Sequence, residues 1–216
     1  MSKLLRSPLL GVVPLLAFCW VLANKASTGK LPDLLWACNV SALLIGVGTL
    51  ASWRRLVAIP FLFHASVGLP AWLLDVSATG TTYGASATCH ASTAIVGALA
   101  ARRLGLPARC VPAAFAYWVV LLAASFWLTP PALNVNLVFA PWDPLAATWG
   151  SVWVSHGANL LGAALFLLAG NYLLRVRLGW RAPGERPTSD TQAGLLPLHQ
   201  AREGAHGEER EDLPRP

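Results

Sequence analysis

Val111-Pro112-Ala113-Ala114-Phe115-Ala116-Tyr117-Trp118-Val119-Val120-Leu121-Leu122-Ala123-Ala124-Ser125-Phe126-Trp127-Leu128-Thr129 contains no charged residue. A helix needs about 20 apolar residues to cross a bilayer, with a working range near 17–25. This stretch meets that length alone. Five others resemble it, over residues 8–23, 34–52, 56–76, 87–101 and 148–174. Span 87–101 is short and opens on polar residues. All six runs are too long and too uniformly apolar for barrel strands, which alternate. The chain therefore reads as an all-α, polytopic membrane bundle of about six transmembrane helices over residues 1–177.

The bulk numbers agree. Of 216 residues, 55% are hydrophobic and only 12% charged. A soluble domain carries roughly 25% charged residues. The net charge is +6, but the basic residues sit singly or in pairs at the ends of apolar runs. That pattern is a topology signal and not a phosphate-binding stripe, so nucleic acid is not an expected partner. Membrane lipids are. No protein partner is legible.

One set of loops holds Lys3, Arg6, Arg54, Arg55, Arg102, Arg103, Arg109, Arg175, Arg177 and Arg181, whereas the alternate set holds only Lys25 and Lys30. Positive residues favour the cytoplasmic side. Both termini are thus expected in the cytoplasm, with the chain in the cell membrane. Trp36, Trp53, Trp72, Trp127, Trp142 and Trp149 lie near span ends and read as interfacial belt residues. Lys3 and Arg6 before an apolar run resemble a signal peptide, but no A-x-A site follows, and the chain reads Ala23-Asn24-Lys25-Ala26. The first segment is expected to be retained.

Residues 178–216 differ in composition. Seven of the ten acidic residues lie there; the others are Asp33, Asp75 and Asp143. Such a segment buries too little apolar surface to offset its ordering entropy. It reads as a disordered cytoplasmic tail, with His199 and His206 as solvated bystanders.

Polar residues recur at the outer end of the spans, where a polar group in hydrocarbon needs a partner or a function. Cys38 lies about 6 Å inside the 34–52 span at 1.5 Å per residue, and Asn39 follows it. Cys38 can be a nucleophile or a small buried hydrophobe, and Asn39 can be interhelical glue. His64, Gly68, Ala71 and Asp75 follow helical spacing and share a face; their small members leave room for a ligand or another helix. His90 opens the 87–101 span with Thr93 and Gly97 on its face, placed as a general base or a wetted interfacial histidine.

The segment Pro130-Pro131-Ala132-Leu133-Asn134-Val135-Asn136-Leu137-Val138-Phe139-Ala140-Pro141-Trp142-Asp143-Pro144 is too apolar for a free loop and too proline-rich for a straight helix. It is expected to pack over the bundle. Asn134 and Asn136 can donate to a ligand carbonyl or cap local backbone. In the last span His156, about 12 Å deep by the same rise, shares a face with Asn159.

The Cys38-bearing run Leu34 to Leu44 resembles the "LPLxLCD" helix of the YwaF-like bacterial membrane proteins, whose eukaryotic relatives are transmembrane acyltransferases of ether phospholipids. His90 sits where that family has its characteristic histidine, and Asn134 to Pro144 is similar to its "NYMxLxxxP" segment. Asn39 stands in place of the family's acidic residue. The resemblance, over roughly residues 34–170, implies Cys38 as nucleophile and His90 as base in acyl transfer. It also implies a site in the outer half of the membrane and calls for no cofactor.

The chemistry is coherent. A thiol in hydrocarbon is un-ionised and inert, but a nearby histidine can take its proton, giving an acyl-thioester intermediate. Asn39, Asn134, Asn136 or Asn159 can contact substrate, as can Asp75; His64 or His156 can replace His90 as base. Two other readings stand beside it. One is a non-enzymatic membrane protein that binds, transports or assembles. The other is a metal or haem protein using two or three of His64, His90 and His156, although no spacing motif supports it. Cys38 and Cys89 both face the oxidising side in this topology, and their pairing state is left open.

Overall fold

The computed structural model describes residues 7–181, 183 and 184. Its described residues fall within one compact unit ending at Pro183, apart from Gly184, which begins a second unit. Eight α-helices are present among them, and no strand. They are α1 (Val12–Ser27), α2 (Ala37–Leu50), α3 (Arg54–Phe63), α4 (Leu69–Thr79), α5 (Gly84–Leu104), α6 (Cys110–Leu128), α7 (Asp143–Trp149) and α8 (Val152–Asn171). A 3-10 turn, Pro8–Gly11, leads into α1. A π turn, His64–Gly68, joins α3 to α4, and another, Tyr172–Arg177, extends α8.

Among the described residues, four continuous helices are long and apolar enough to cross a membrane: Pro8–Ser27, Arg54–Thr79, Cys110–Leu128 and Val152–Arg177. Helix α2 is apolar but shorter. Helix α5 has 21 residues, but its Ser, Thr, His and Arg residues dilute its hydropathy.

Large apolar side chains point outward on α1, α6 and α8: Leu16, Trp20, Val120, Trp127, Leu161, Leu165 and Phe166 are all exposed. The interior, by contrast, is rich in small residues, with Ala42, Ala58, Ala101, Ala114 and Ala163 almost wholly buried. Small residues between helices and apolar ones outside is the pattern of helices packed in lipid, where close backbone approach replaces a hydrophobic drive. Helix α3 is central. It packs on α2, α5, α6 and α8 and buries Val57, Ala58, Phe61, Leu62 and Phe63. Phe63 stacks on Trp118 and meets Tyr117 edge-on.

Several expected boundaries shift, each for a local reason. Span 34–52 shortens because Pro32 starts a 3-10 turn, Leu31–Leu35, and Trp36 is non-helical at φ −53°, ψ 130°. Span 148–174 begins later because Gly150 takes φ 60°, which suits glycine. The Ser151 hydroxyl then accepts from the Trp153 N–H and caps α8. Residues 148 and 149 close α7 instead. Span 87–101 lengthens to 84–104, so His90 is the seventh residue of α5 and not its opening.

The π turn overturns the shared face of His64 and Asp75. Pro70 has no N–H for the carbonyl four residues back, and its ring would press on it. A widened turn relieves that conflict. The extra residue rotates the later part of the helix, leaving His64 buried and Asp75 exposed. Room at Gly68 is also taken, since a Cβ there would lie 3.3 Å from His64 Nδ1.

Residues 178–181 are not a free tail. The Leu106 N–H donates to the Trp180 carbonyl at 2.7 Å, and Trp180 stacks on Phe61 at 6.2 Å. The aromatic ring supplies the burial that composition alone concealed. The remainder of the expected tail, with His199 and His206, lies outside the described residues, apart from Pro183 and Gly184.

The α1–α2 connection is tied by an ion pair, Lys25 Nζ to Asp33 Oδ2 at 2.6 Å. Asp33 is buried, and its carbonyl also accepts from Asn39 Nδ2. Removing one partner leaves the other charge poorly solvated. Lys25→Ala is expected to cost about 1–2 kcal/mol, read as a lowered thermal midpoint in detergent. Lys25→Arg should recover most of it.

Candidate functional site

The polar residues resolve into two neighbouring groups and a strap. The first group joins α2 and α5. Cys38 is only the second residue of α2, closer to the helix start than expected. Its Sγ donates to Asn39 Oδ1 at 3.8 Å, and Cys89 Sγ donates to the same oxygen at 3.8 Å. Asn39 is held in turn through Nδ2 to the Asp33 carbonyl at 3.0 Å. Cys38 is half-buried, whereas Cys89 is fully buried. All four cysteines are free thiols.

The second group is aromatic. Trp72 stacks on His90 with centroids 4.6 Å apart, and the His64 ring lies 5.2 Å from that of His90. His64 Nε2 is 3.3 Å from the His90 carbonyl. A carbonyl cannot donate, so Nε2 carries the proton and Nδ1 of the neutral ring presents a bare lone pair. Both Nδ1 atoms are buried without a hydrogen-bond partner. Trp72 is thus a half-buried stacking partner of His90. A tryptophan near a span end carries no sequence signal for that role. His90 and Cys89 are adjacent in α5, so the two groups share an element.

The strap is the 130–142 segment. Asn136 is buried and fully engaged: Nδ2 donates to the Leu35 carbonyl at 2.9 Å and to Ser125 Oγ at 2.8 Å, while Oδ1 accepts from the Ala37 N–H at 3.0 Å. It caps α2 and binds α6 at once. Asn134, left-handed at φ 43°, accepts from the Phe139 and Ala140 N–H groups at 2.9 Å and donates to the Ala140 carbonyl. Both side chains therefore build the segment, and neither donor points at an open site.

His156 is only the fifth residue of α8, shallower than expected. Its Nε2 donates to the Val138 carbonyl at 3.1 Å. Asp75, at the far end of α4, accepts from Trp142 Nε1 at 3.0 Å. Asn159 is half-buried on α8. The hydrogen bonds of Asp75 and His156 run to Trp142 and Val138 and not to the Cys38 or His64 group.

The three-histidine metal reading does not survive this placement. Among the described residues no three His, Cys, Asp or Glu side chains are placed to hold a metal ion. His64 and His90 meet, but His156 turns to the strap backbone.

The described residues form an all-helical fold in which four helices are long and apolar enough to cross a membrane. No family model, curated protein or solved structure matches the chain.

Proposed function

We propose that the chain is a six-span protein of the cell membrane with both termini cytoplasmic, and that it transfers acyl groups from membrane lipids through Cys38. The six crossings would be α1, α2, the α3–α4 unit, α5, α6 and α8. The Lys and Arg bias of the loops supports the orientation.

One observation carries the chemistry: Cys38 is a half-buried thiol at the start of α2, on an amide it shares with the residue before His90. The resemblance of Leu34–Leu44 to the YwaF-like helix supports the same assignment. In the proposed step Cys38 Sγ bonds to the ester carbonyl carbon of a phospholipid. The carbon–oxygen bond to the glycerol breaks. The thiol proton passes through His90, or through His64, to the departing glycerol oxygen. An acceptor hydroxyl or water then attacks the thioester and returns the proton to sulfur. Asn134 and Asn136 are occupied, so they are not assigned as oxyanion donors.

Intact mass of the detergent-purified chain, after incubation with a phospholipid of defined acyl chain, tests this. The expected result is one added acyl mass that hydroxylamine removes and Cys38→Ala abolishes. Absence of an adduct across several lipid classes, with Cys38 shown to be a free thiol, overturns it. The assignment would then move to non-enzymatic binding, which the unpartnered lone pair of His64 Nδ1 favours.

A further inference from the structure

We infer that Cys38 and Cys89 are a paired oxidation site, closed in two ordered steps by a small-molecule disulfide. Both sulfurs donate to a single atom, Asn39 Oδ1. They therefore lie no farther apart than twice the 3.8 Å of each contact. The two residues come from different helices, α2 and α5, which pack directly on each other.

Unequal exposure fixes the order. Cys38 is half-buried and keeps some exposed surface, while Cys89 has none. Cys38 attacks first: its sulfur bonds to one sulfur of the reagent, the reagent's S–S bond breaks, and one reagent thiol leaves with the proton. Cys89 then attacks the Cys38 sulfur of the mixed disulfide. The second reagent thiol leaves with the Cys89 proton. The two protein cysteines are oxidised together, and the reagent disulfide is reduced to two thiols.

A neutral product favours this fate over capture of a soft metal ion. Two thiolates around a monovalent cation leave a net negative charge in a buried place, which is costly. A disulfide buries no charge. The bond would take Cys38 out of action as a nucleophile, a consequence that rests on the acyl-transfer reading. Formation of the bond itself does not.

The test uses the full chain in detergent, exposed to glutathione disulfide and digested without reductant. The expected result is a linked peptide pair containing Cys38 and Cys89, with Cys110 still free and the link reversed by a thiol reductant. Cys89→Ser should stop at the mixed disulfide on Cys38. Cys38→Ser should leave Cys89 unmodified, and its monodispersity on size exclusion shows that it folds. A mixed disulfide on wild-type Cys38 that never resolves overturns the inference. So does a native protein whose Cys38 and Cys89 both stay free. The lipid assay on reduced protein fails or succeeds independently: a thioester without a disulfide sinks only this inference, and a disulfide without a thioester sinks only the acyl-transfer reading.

Discussion

Asn136→Ala is expected to remove about 3–6 kcal/mol of stability, enough to prevent the chain from accumulating as monodisperse protein. The side chain satisfies three groups on three elements: the Leu35 carbonyl of the Leu31–Leu35 turn, the Ala37 N–H of α2 and Ser125 Oγ of α6. Truncation removes all three bonds at once. A buried group left unsatisfied costs about 1–3 kcal/mol, and the usual total stability of a domain is only about 5–15 kcal/mol. Backbone conformation adds to the loss, because Asn136 sits at φ 55° and asparagine tolerates that region better than alanine. Asn134→Ala is the contrast. Its bonds stay within one turn of the strap, so its loss should be nearer 1–2 kcal/mol. Thermal unfolding of both variants in one detergent checks the ranking. Equal midpoints would show that Asn136 does not clamp α2 to α6.

Gly11→Val is the second large expected effect. A Cβ at Gly11 would press on the backbone carbonyl of Gly46, and a Cβ at Gly46 would meet Leu15 Cγ at 2.6 Å. The α1 entry and α2 thus cross glycine on glycine. Backbone cannot rotate away as a side chain can, so the helices themselves must part. Overpacking commonly costs about 1–3 kcal/mol; here a loss at the upper end of that range is expected, with release of α1 from the bundle. Limited proteolysis after residue 27, compared with wild type, reads that release. Gly157→Ala is the matched control. Nothing lies within 4 Å of a Cβ there, so the change should stabilise α8 by about 0.5–1 kcal/mol. A Gly11→Val protein as protease-resistant as wild type would refute the packing account.

How far the sequence could be read depends on the range of each interaction. The 111–129 run matches α6, Cys110–Leu128, because hydropathy and flanking prolines act locally. The π turn was hidden although Pro70 was visible: helical spacing drawn through 64, 68, 71 and 75 assumes an unbroken turn. The convergence of Cys38 and Cys89 on Asn39 spans about fifty residues, and the Asn136 clamp about a hundred. Pairings of that range are products of packing and leave no local spacing to read. Residue type alone marked the asparagines as interesting, but it could not tell a ligand donor from a rivet.

The π turn at His64–Gly68 has one more consequence. It divides a single long helix into two segments whose angular phase differs by about one residue, roughly 100° at 3.6 residues per turn. Substitutions preserve that offset, whereas a one-residue deletion there would erase it and swing the Asp75 end around the axis. Length is therefore as much a specification of this helix as composition, and tolerance to change should be judged separately above and below the turn.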